Sequence, residues 1–337
     1  MVLYAGGPLT GELVRAGVPI LTLAKRGRWD LVRPLWRAVR EARRFHPTIL
    51  HGYLTSGNVT ALLLRWFLPK ARVVWAIRST MLEFSRYNRF IGATYRLANR
   101  LSRRVDLVIS NSYAGLADHV LAGYPADRAV VIPNGIDLDR FTPDAARRAT
   151  TRTSWGIATD AIVVGMVCRV DPMKDHPTFL RAMAGLMAQE PALRAVCIGN
   201  GPAAYRGEVE ALAGELGIGD RVHWLPAVVD VAGVYPALDV LCSASAFGEG
   251  FSNVLGEALA SGVPCVATDV GDATQILGDV GRIVPPRDPG RLAQALRDTI
   301  AARSPALSAR CRQRVAECFG TERLFDATER ALGLKHA

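Results

Sequence analysis

Short, continuously apolar runs recur along this chain, each followed by a longer segment of helical spacing. That alternation constrains the fold more than any other feature. In the first half the runs are Thr48 to Leu54, Ala71 to Ile77, Asp106 to Asn111 and Ala129 to Pro133, with helical segments at 31–45, 57–69, 85–104 and 113–123. The second half repeats the scheme with runs at 161–169, 193–199, 221–225, 240–245, 264–269 and 281–284. Strands that are apolar on both faces need cover on both sides, which predicts an α/β architecture of parallel sheets flanked by helices. The length of 337 residues accommodates two such doubly wound domains, at roughly 150 residues each. Loops at the carboxyl ends of the strands are then where a ligand binds. Ile132-Pro133-Asn134-Gly135-Ile136-Asp137 ends a strand in a turn whose Asn-Gly pair suits φ > 0, and a polar stretch runs from Thr142 to Thr153. The expected division is 1–145, 146–318 and a closing helical segment, 319–337.

Half of the residues are apolar and 21% are charged, which excludes disordered and fibrous classes. The longest apolar stretch, Val59 to Leu64, stops at Arg65, far short of the roughly 18 residues that a membrane span needs. Met1-Val2-Leu3-Tyr4 carries no basic leader, so no signal peptide is expected. None of the six cysteines forms a CxxC pair, and Cys168, Cys197, Cys242 and Cys265 lie in apolar runs. A reduced, cytoplasmic protein is expected. The formal charge of +10 is unevenly placed: residues 1–150 hold 23 Lys+Arg against 10 Asp+Glu, and the remainder hold 18 against 21. A basic first half implies an anionic partner or surface.

Three features of the second half converge. Arg169 ends one apolar run and Lys174 follows in the next loop; two cations there suit a diphosphate, although cations at loop ends are also commonly just solvated. Gly199-Asn200-Gly201-Pro202 closes the next run, either to admit a flat ligand close to the backbone or as an ordinary tight turn. The most specific segment is Phe247-Gly248-Glu249-Gly250-Phe251-Ser252-Asn253-Val254-Leu255-Gly256-Glu257-Ala258. Ser252 reads as the N-cap of a helix reaching about Ala260, whose positive end and glycine-rich approach form an anion site. Glu249 and Glu257 can both accept from sugar hydroxyls; alternatively, Glu249 serves the helix dipole and Glu257 lies on a solvated face.

Arg169 with Lys174, and Glu249 seven residues before Glu257 in that setting, resemble the retaining glycosyltransferases of the GT-B fold, especially bacterial cell-envelope and lipid-linked sugar transferases. Asn134-Gly135-Ile136-Asp137 with Phe141 and Pro143, Asn111-Ser112, and Ala237-Leu238-Asp239-Val240 are also similar to that family. The resemblance implies two facing Rossmann-like domains with a C-terminal helix, 321–334, returning to the first. It implies that Arg169 and Lys174 neutralise the donor diphosphate and that Glu249 holds the transferred sugar, with Phe251, Ser252 and Asn253 amides and Val254 nearby. Glu257 would hold the ribose, while Gly199, Gly201 and the loop reaching Val228 would flank the base. Stabilising charge on the leaving group is the dominant requirement of such a transfer, and it agrees with these cations. The resemblance implies a reaction without cofactor or metal, and the sequence fits it, since the one DxD triplet, Asp137-Leu138-Asp139, lies in the turn between the halves. No residue stands out as a nucleophile for a double displacement, and the resemblance implies that retention proceeds by front-face attack within an ion pair.

The family's opening strand, glycine-rich loop, helix and second strand are not matched, and Leu3 to Ile20 reads as the end of that region, so the expectation is a chain lacking part of its first domain with exposed sheet edges. Many relatives place a His after the strand that corresponds to 71–77; here Ile77-Arg78-Ser79-Thr80 stands instead. The acceptor-side candidates are therefore His51, Arg78 and Asn111, with His51 also readable as a core histidine; His176 is expected to begin the helix after Lys174. Val32, Leu35, Trp36 and Val39 share one face of the segment 31–45 among Arg33, Arg37, Arg40, Arg43 and Arg44, with Arg65-Trp66-Phe67 and Arg103-Arg104 elsewhere. That pattern suits anionic lipid headgroups, while its apolar stripe equally suits a core face. The expected partners are a nucleotide-sugar donor, a lipid-linked or glycan acceptor and an anionic membrane surface, with no nucleic acid. The competing readings are a nucleotide-sugar epimerase on the same fold and a non-catalytic sugar-nucleotide or nucleic-acid binder.

Overall fold

A computed structural model describes residues 2–3, 10–24, 27, 30, 32–78, 80 and 89–334. Parts of two expected helices, residue 31 and residues 85–88, lie outside this set. The chain divides into two compact units. The first comprises residues 1–77, 87–109 and 120–130; the second comprises 78–86, 110–119 and 131–337.

In the first unit, β1 (Val2–Leu3) and β2 (Leu21–Thr22) pair in parallel on either side of the helix Thr10–Arg15. A separate four-stranded sheet has the order β3 (Ile49–Tyr53), β4 (Arg72–Ile77), β5 (Leu107–Ser110), β6 (Ala129–Val131). The strands are one or two residues shorter than their apolar runs at one or both ends, because the flanking residues turn out of the ladder. The helix Leu54–Arg65 starts directly after β3, and Asn58 ties it to β4 by donating to Ala76 O at 3.0 Å and accepting from Ala76 N at 3.2 Å. Gly52 is obligatory there, since a Cβ would come within 2.6 Å of Asn58 Cα. Trp75 is fully buried in the core of this sheet, beside Val73, Ile77 and Val108.

The second unit holds a six-stranded sheet, β7 (Ile162–Val167), β8 (Leu193–Ile198), β9 (Val222–Leu225), β10 (Val240–Ser243), β11 (Cys265–Thr268) and β12 (Arg282–Val284). Its order is β12-β11-β10-β7-β8-β9, parallel throughout. Apolar clusters fill both faces, as uniformly apolar strands require. Because all six strands are parallel, their carboxyl ends share one edge, and the order reverses between β7 and β10.

Near the amino ends, Asp239 accepts from Val163 N at 2.7 Å, Arg148 at 2.8 Å and Arg152 at 2.7 Å, with Arg303 at 2.6 Å. Burial pushes its carboxyl up, but the Val163 N–H and the arginines outweigh that and hold it low. Asp239 is therefore a structural tie distant from the ligand edge. Arg312 clamps the turn 137–141 by donating to Leu138 O and Phe141 O, and it also caps Ala260 O.

The last helix, Thr321–Leu332, clusters with the second unit. It lies against Gly135, where a Cβ would meet Thr321 Cα at 2.8 Å. Residues 131–136 thus fall on the second-unit side, although the sequence division assigns them to the first domain. The described cysteines are all unpaired thiols, and Cys197, Cys242, Cys265 and Cys311 are buried. No helix among the described residues is long and apolar enough to cross a membrane.

Candidate functional site

The carboxyl edge of the six-stranded sheet gathers the charged residues of the second half. After β7 the backbone reaches Arg169 and then a single tight turn, 172–174. Asp171 caps that turn by accepting from Met173 N at 2.9 Å. Asp175, at φ 50°, closes it and caps the helix His176–Met187 through Thr178 N and Oγ1. Lys174 is thereby fixed at the sheet edge with its side chain only 15% exposed.

From β10 the chain enters the glycine-rich loop. Ala246 N donates to Met173 O at 2.8 Å, stitching this loop to the turn that carries Lys174. Gly248, at φ 79°, has Met173 Sδ 2.7 Å from where a Cβ would stand. Glu249 consequently forms an ion pair with Lys174, and Ser245 Oγ donates to it at 2.7 Å. Both partners use Oε1; among the described residues nothing bonds Oε2. Gly271 supports the loop from below, because a Cβ at its φ of 64° would strike Glu249 O and Gly250 O at 2.7 and 2.6 Å. Asp272 N donates to Gly250 O, and its buried carboxylate accepts from Tyr113 N at 2.7 Å and Ala114 N at 2.9 Å.

The helix Asn253–Ala260 follows, and its first-turn N–H groups face the edge as the sequence predicts. Ser252 occupies the N-cap position, but its side chain makes no capping bond, which corrects that expectation. Phe251 turns its ring into the core against Phe319 at 5.3 Å, leaving only its backbone for a ligand. Asn253 Oδ1 accepts from Asn134 Nδ2 at 2.7 Å, joining the Asn134-Gly135 turn to the helix start. Val254 is half-buried on the core cluster.

Glu257 does not lie on a solvated face: the Tyr235 hydroxyl donates to its Oε2, and Oε1 bonds nothing among the described residues. Burial pushes its carboxyl above the ordinary 4.5, against the pull of the Tyr235 bond and the Arg140 charge. Arg169 is 70% exposed, and its one acidic partner among the described residues is Asp171, at 3.6 Å, so it stays available to an incoming anion.

The glycines of the β8 turn have an internal reason. A Cβ on Gly199, φ 149°, would sit 1.9 Å from Cys168 O, and one on Gly201 would sit 2.0 Å from Val170 O. Their first role is to let the ends of β7 and β8 touch, with Val170 N donating to Asn200 O at 2.9 Å. Asn200 Oδ1 accepts from Ala227 N at 3.1 Å, which brings the loop carrying the exposed Val228 beside this turn.

His176 begins its helix as expected. It is buried 3.9 Å from Cys168 Sγ and stacks on Trp224; burial lowers its pKa to about 4, so it is neutral. Asn111 is buried after β5 within the second unit. His51 is half-buried on β3 in the first unit, 4.6 Å from Tyr53, and Arg78 is exposed after β4. The donor-side candidates therefore share one sheet edge, whereas His51 belongs to the other unit. Asp137 spends Oδ1 on the Asp139 and Arg140 N–H groups, both at 3.0 Å, as a turn former does. Sequence reasoning missed Ser245, Tyr235 and Asp272; Tyr235 and Asp272 act through contacts that no local spacing encodes, whereas Ser245 lies four residues before Glu249 and is brought to it by the glycine-rich loop.

Residues 2–140 match the family described as Glycosyltransferase Family 4, and residues 161–302 match Glycosyl transferases group 1. Both halves are glycosyltransferase domains. The D-inositol 3-phosphate glycosyltransferase of Geodermatophilus obscurus is 39% identical over 236 residues, covering 66% of this chain and 51% of that protein. Its namesake from Streptomyces coelicolor is 30% identical over 310 residues, covering 82% and 66%. The chain spans about half the length of several such relatives. Among solved structures, Anabaena HepE in complex with UDP-glucose superposes with a TM-score of 0.88 at 22% identity, covering 98% of this chain and 90% of that one. Sucrose-phosphate synthase from Thermosynechococcus elongatus gives 0.77 at 24% identity, over 94% and 84%. With two parallel-sheet α/β domains, these glycosyltransferase domains adopt the GT-B fold.

Proposed function

We propose that this chain transfers a sugar from a nucleotide-diphosphate sugar to an acceptor, with retention of anomeric configuration and without a metal. One observation carries the reading: Glu249, paired with Lys174, and Glu257 each commit one carboxylate oxygen to the protein and leave the other unbonded among the described residues. Glu249 Oε2 accepts from hydroxyls of the transferred sugar and Glu257 Oε1 from the ribose. An ammonium has three donors, so Lys174 can hold Glu249 and still reach a phosphate oxygen. Arg169, exposed at the edge, closes on the diphosphate and stabilises the charge that develops as the nucleoside diphosphate departs. The amides of Phe251, Ser252 and Asn253 sit where the helix dipole favours negative charge. Gly199, Gly201 and Val228 border the base, and His51, Arg78 and Asn111 serve the acceptor.

UDP-glucose, present in the HepE complex, is the first donor to assay. The acceptor is a lipid-linked or glycan hydroxyl in the cytoplasm; inositol 3-phosphate, which the relatives' names carry, belongs in the same panel. The test is release of nucleoside diphosphate from UDP-, GDP- and ADP-sugars with and without EDTA, followed by the anomeric configuration of the product. Turnover unaffected by EDTA with a retained anomer is expected. Epimerised nucleotide sugar, or binding with neither hydrolysis nor transfer, would overturn the reading.

A further inference from the structure

We propose that the first unit docks on an anionic lipid surface through one face of the helix Val32–Phe45 together with the turn that follows Leu54–Arg65. This goes beyond sugar transfer and does not rest on it. The apolar stripe of the helix, ambiguous in sequence, divides in the structure. Leu35, Ala38 and Val39 turn inward, whereas Val32 is 82% and Trp36 60% exposed. At 100° per residue, Val32, Trp36, Arg40 and Arg43 fall within one outer arc of about 80°, with Arg33 and Arg44 adjoining it on one side.

The two elements are joined by cation–π contacts. Arg40 lies 5.1 Å over Trp36, and Arg43 reaches across to the Phe67 ring at 5.4 Å. Phe67 adjoins Trp66, 79% exposed, which borders a groove of about 380 Å³ lined by Val59, Leu62, Leu63, Leu101 and Arg104. Glu41 balances part of the charge by pairing with Arg40 and Arg44. Arg33, Arg43 and Arg104 have no acidic partner among the described residues. Cations that hold indole and phenyl rings outward satisfy an interface that is anionic at its surface and apolar just beneath it. The charge of the first half has the complementary sign, with 23 Lys+Arg against 10 Asp+Glu in residues 1–150. A nucleic acid would instead need the rings spaced as stacking platforms along a basic track, and here they border an apolar groove.

The test is co-sedimentation of the whole chain with vesicles of phosphatidylcholine alone and of equal parts phosphatidylcholine and phosphatidylglycerol, at low and high salt. Binding to the mixed vesicles, weakened by salt, is expected. Arg33→Glu with Arg43→Glu, and separately Trp36→Ser with Trp66→Ser, each weaken it at least about tenfold while the circular dichroism spectrum and melting temperature stay unchanged. No sedimentation with anionic vesicles at low salt would overturn the proposal, as would wild-type binding by both pairs of variants. So would a concentration-dependent dimer that the Trp pair abolishes without any vesicle binding, since the face would then belong to a second copy.

Discussion

Lys174 and Glu249 meet across two neighbouring strand ends, and the carboxylate receives the ammonium on Oε1, the atom that also accepts from Ser245. The pair is mostly buried, at 15% and 12% exposure, so each charge depends on the other. Lys174→Met leaves Glu249 uncompensated and costs about 2 kcal/mol of stability. Adding Glu249→Gln recovers most of that loss, because the amide still accepts from Ser245. A urea-denaturation double-mutant cycle checks the coupling; additive single effects would show that the two do not interact.

Gly199→Ala and Gly201→Ala each place a methyl about 2 Å from a carbonyl oxygen, Cys168 O and Val170 O respectively. Each is expected to lose more than about 3 kcal/mol. Gly207, in the helix Ala203–Glu215 with open space at its Cβ, provides the contrast: Gly207→Ala gains about 0.5–1 kcal/mol. Melting temperatures of the three variants separate packing from ordinary helix propensity.

The alternation of apolar runs made the sheets legible in sequence, because strands buried on both faces carry few polar interruptions. Charges after a strand end made Arg169 and Lys174 legible, and a glycine-rich segment running into a helix made Glu249 and Glu257 legible. Ser252 misled, since a residue of N-cap type occupies the cap without using its hydroxyl. Tyr235 was hidden because it reaches Glu257 from 22 positions away in sequence, and Asp272 because its partners lie 158 and 159 positions away. The glycines of the β8 turn were found, but a close approach to a ligand and a close approach to Cys168 leave the same mark in sequence.

Glu257 is held above its ordinary pKa by burial, so the folded state binds its proton more tightly than the unfolded chain does. Its contribution is present below the ordinary value of 4.5 and is lost as pH rises through the folded value. Glu257→Gln removes that penalty and is expected to melt higher than wild type at neutral pH. The difference shrinks as pH falls below 4.5, while affinity for the nucleotide drops at neutral pH. A melting series against pH checks this; a variant less stable at pH 7 would contradict it.

His176 titrates the other way. Burial lowers its pKa from 6.5 to about 4, so the unfolded chain takes up the proton first. Stability is full above 6.5 and falls as pH drops through that window, by at most about 3 kcal/mol. Denaturant titrations of wild type and His176→Gln should show the slope in the first and its loss in the second.

The central claim, that the edge holding Lys174, Glu249 and Glu257 binds a nucleotide sugar, is tested most directly by calorimetric titration with UDP-glucose, UDP and companion GDP- and ADP-sugars. For the preferred nucleotide, the account predicts that the sugar form binds more tightly than the nucleotide alone. Glu249→Ala abolishes that difference while leaving the nucleotide's own affinity within about threefold, under 1 kcal/mol. Failure of every nucleotide sugar to bind the wild-type chain, or a sugar-dependent gain that survives Glu249→Ala, would contradict it.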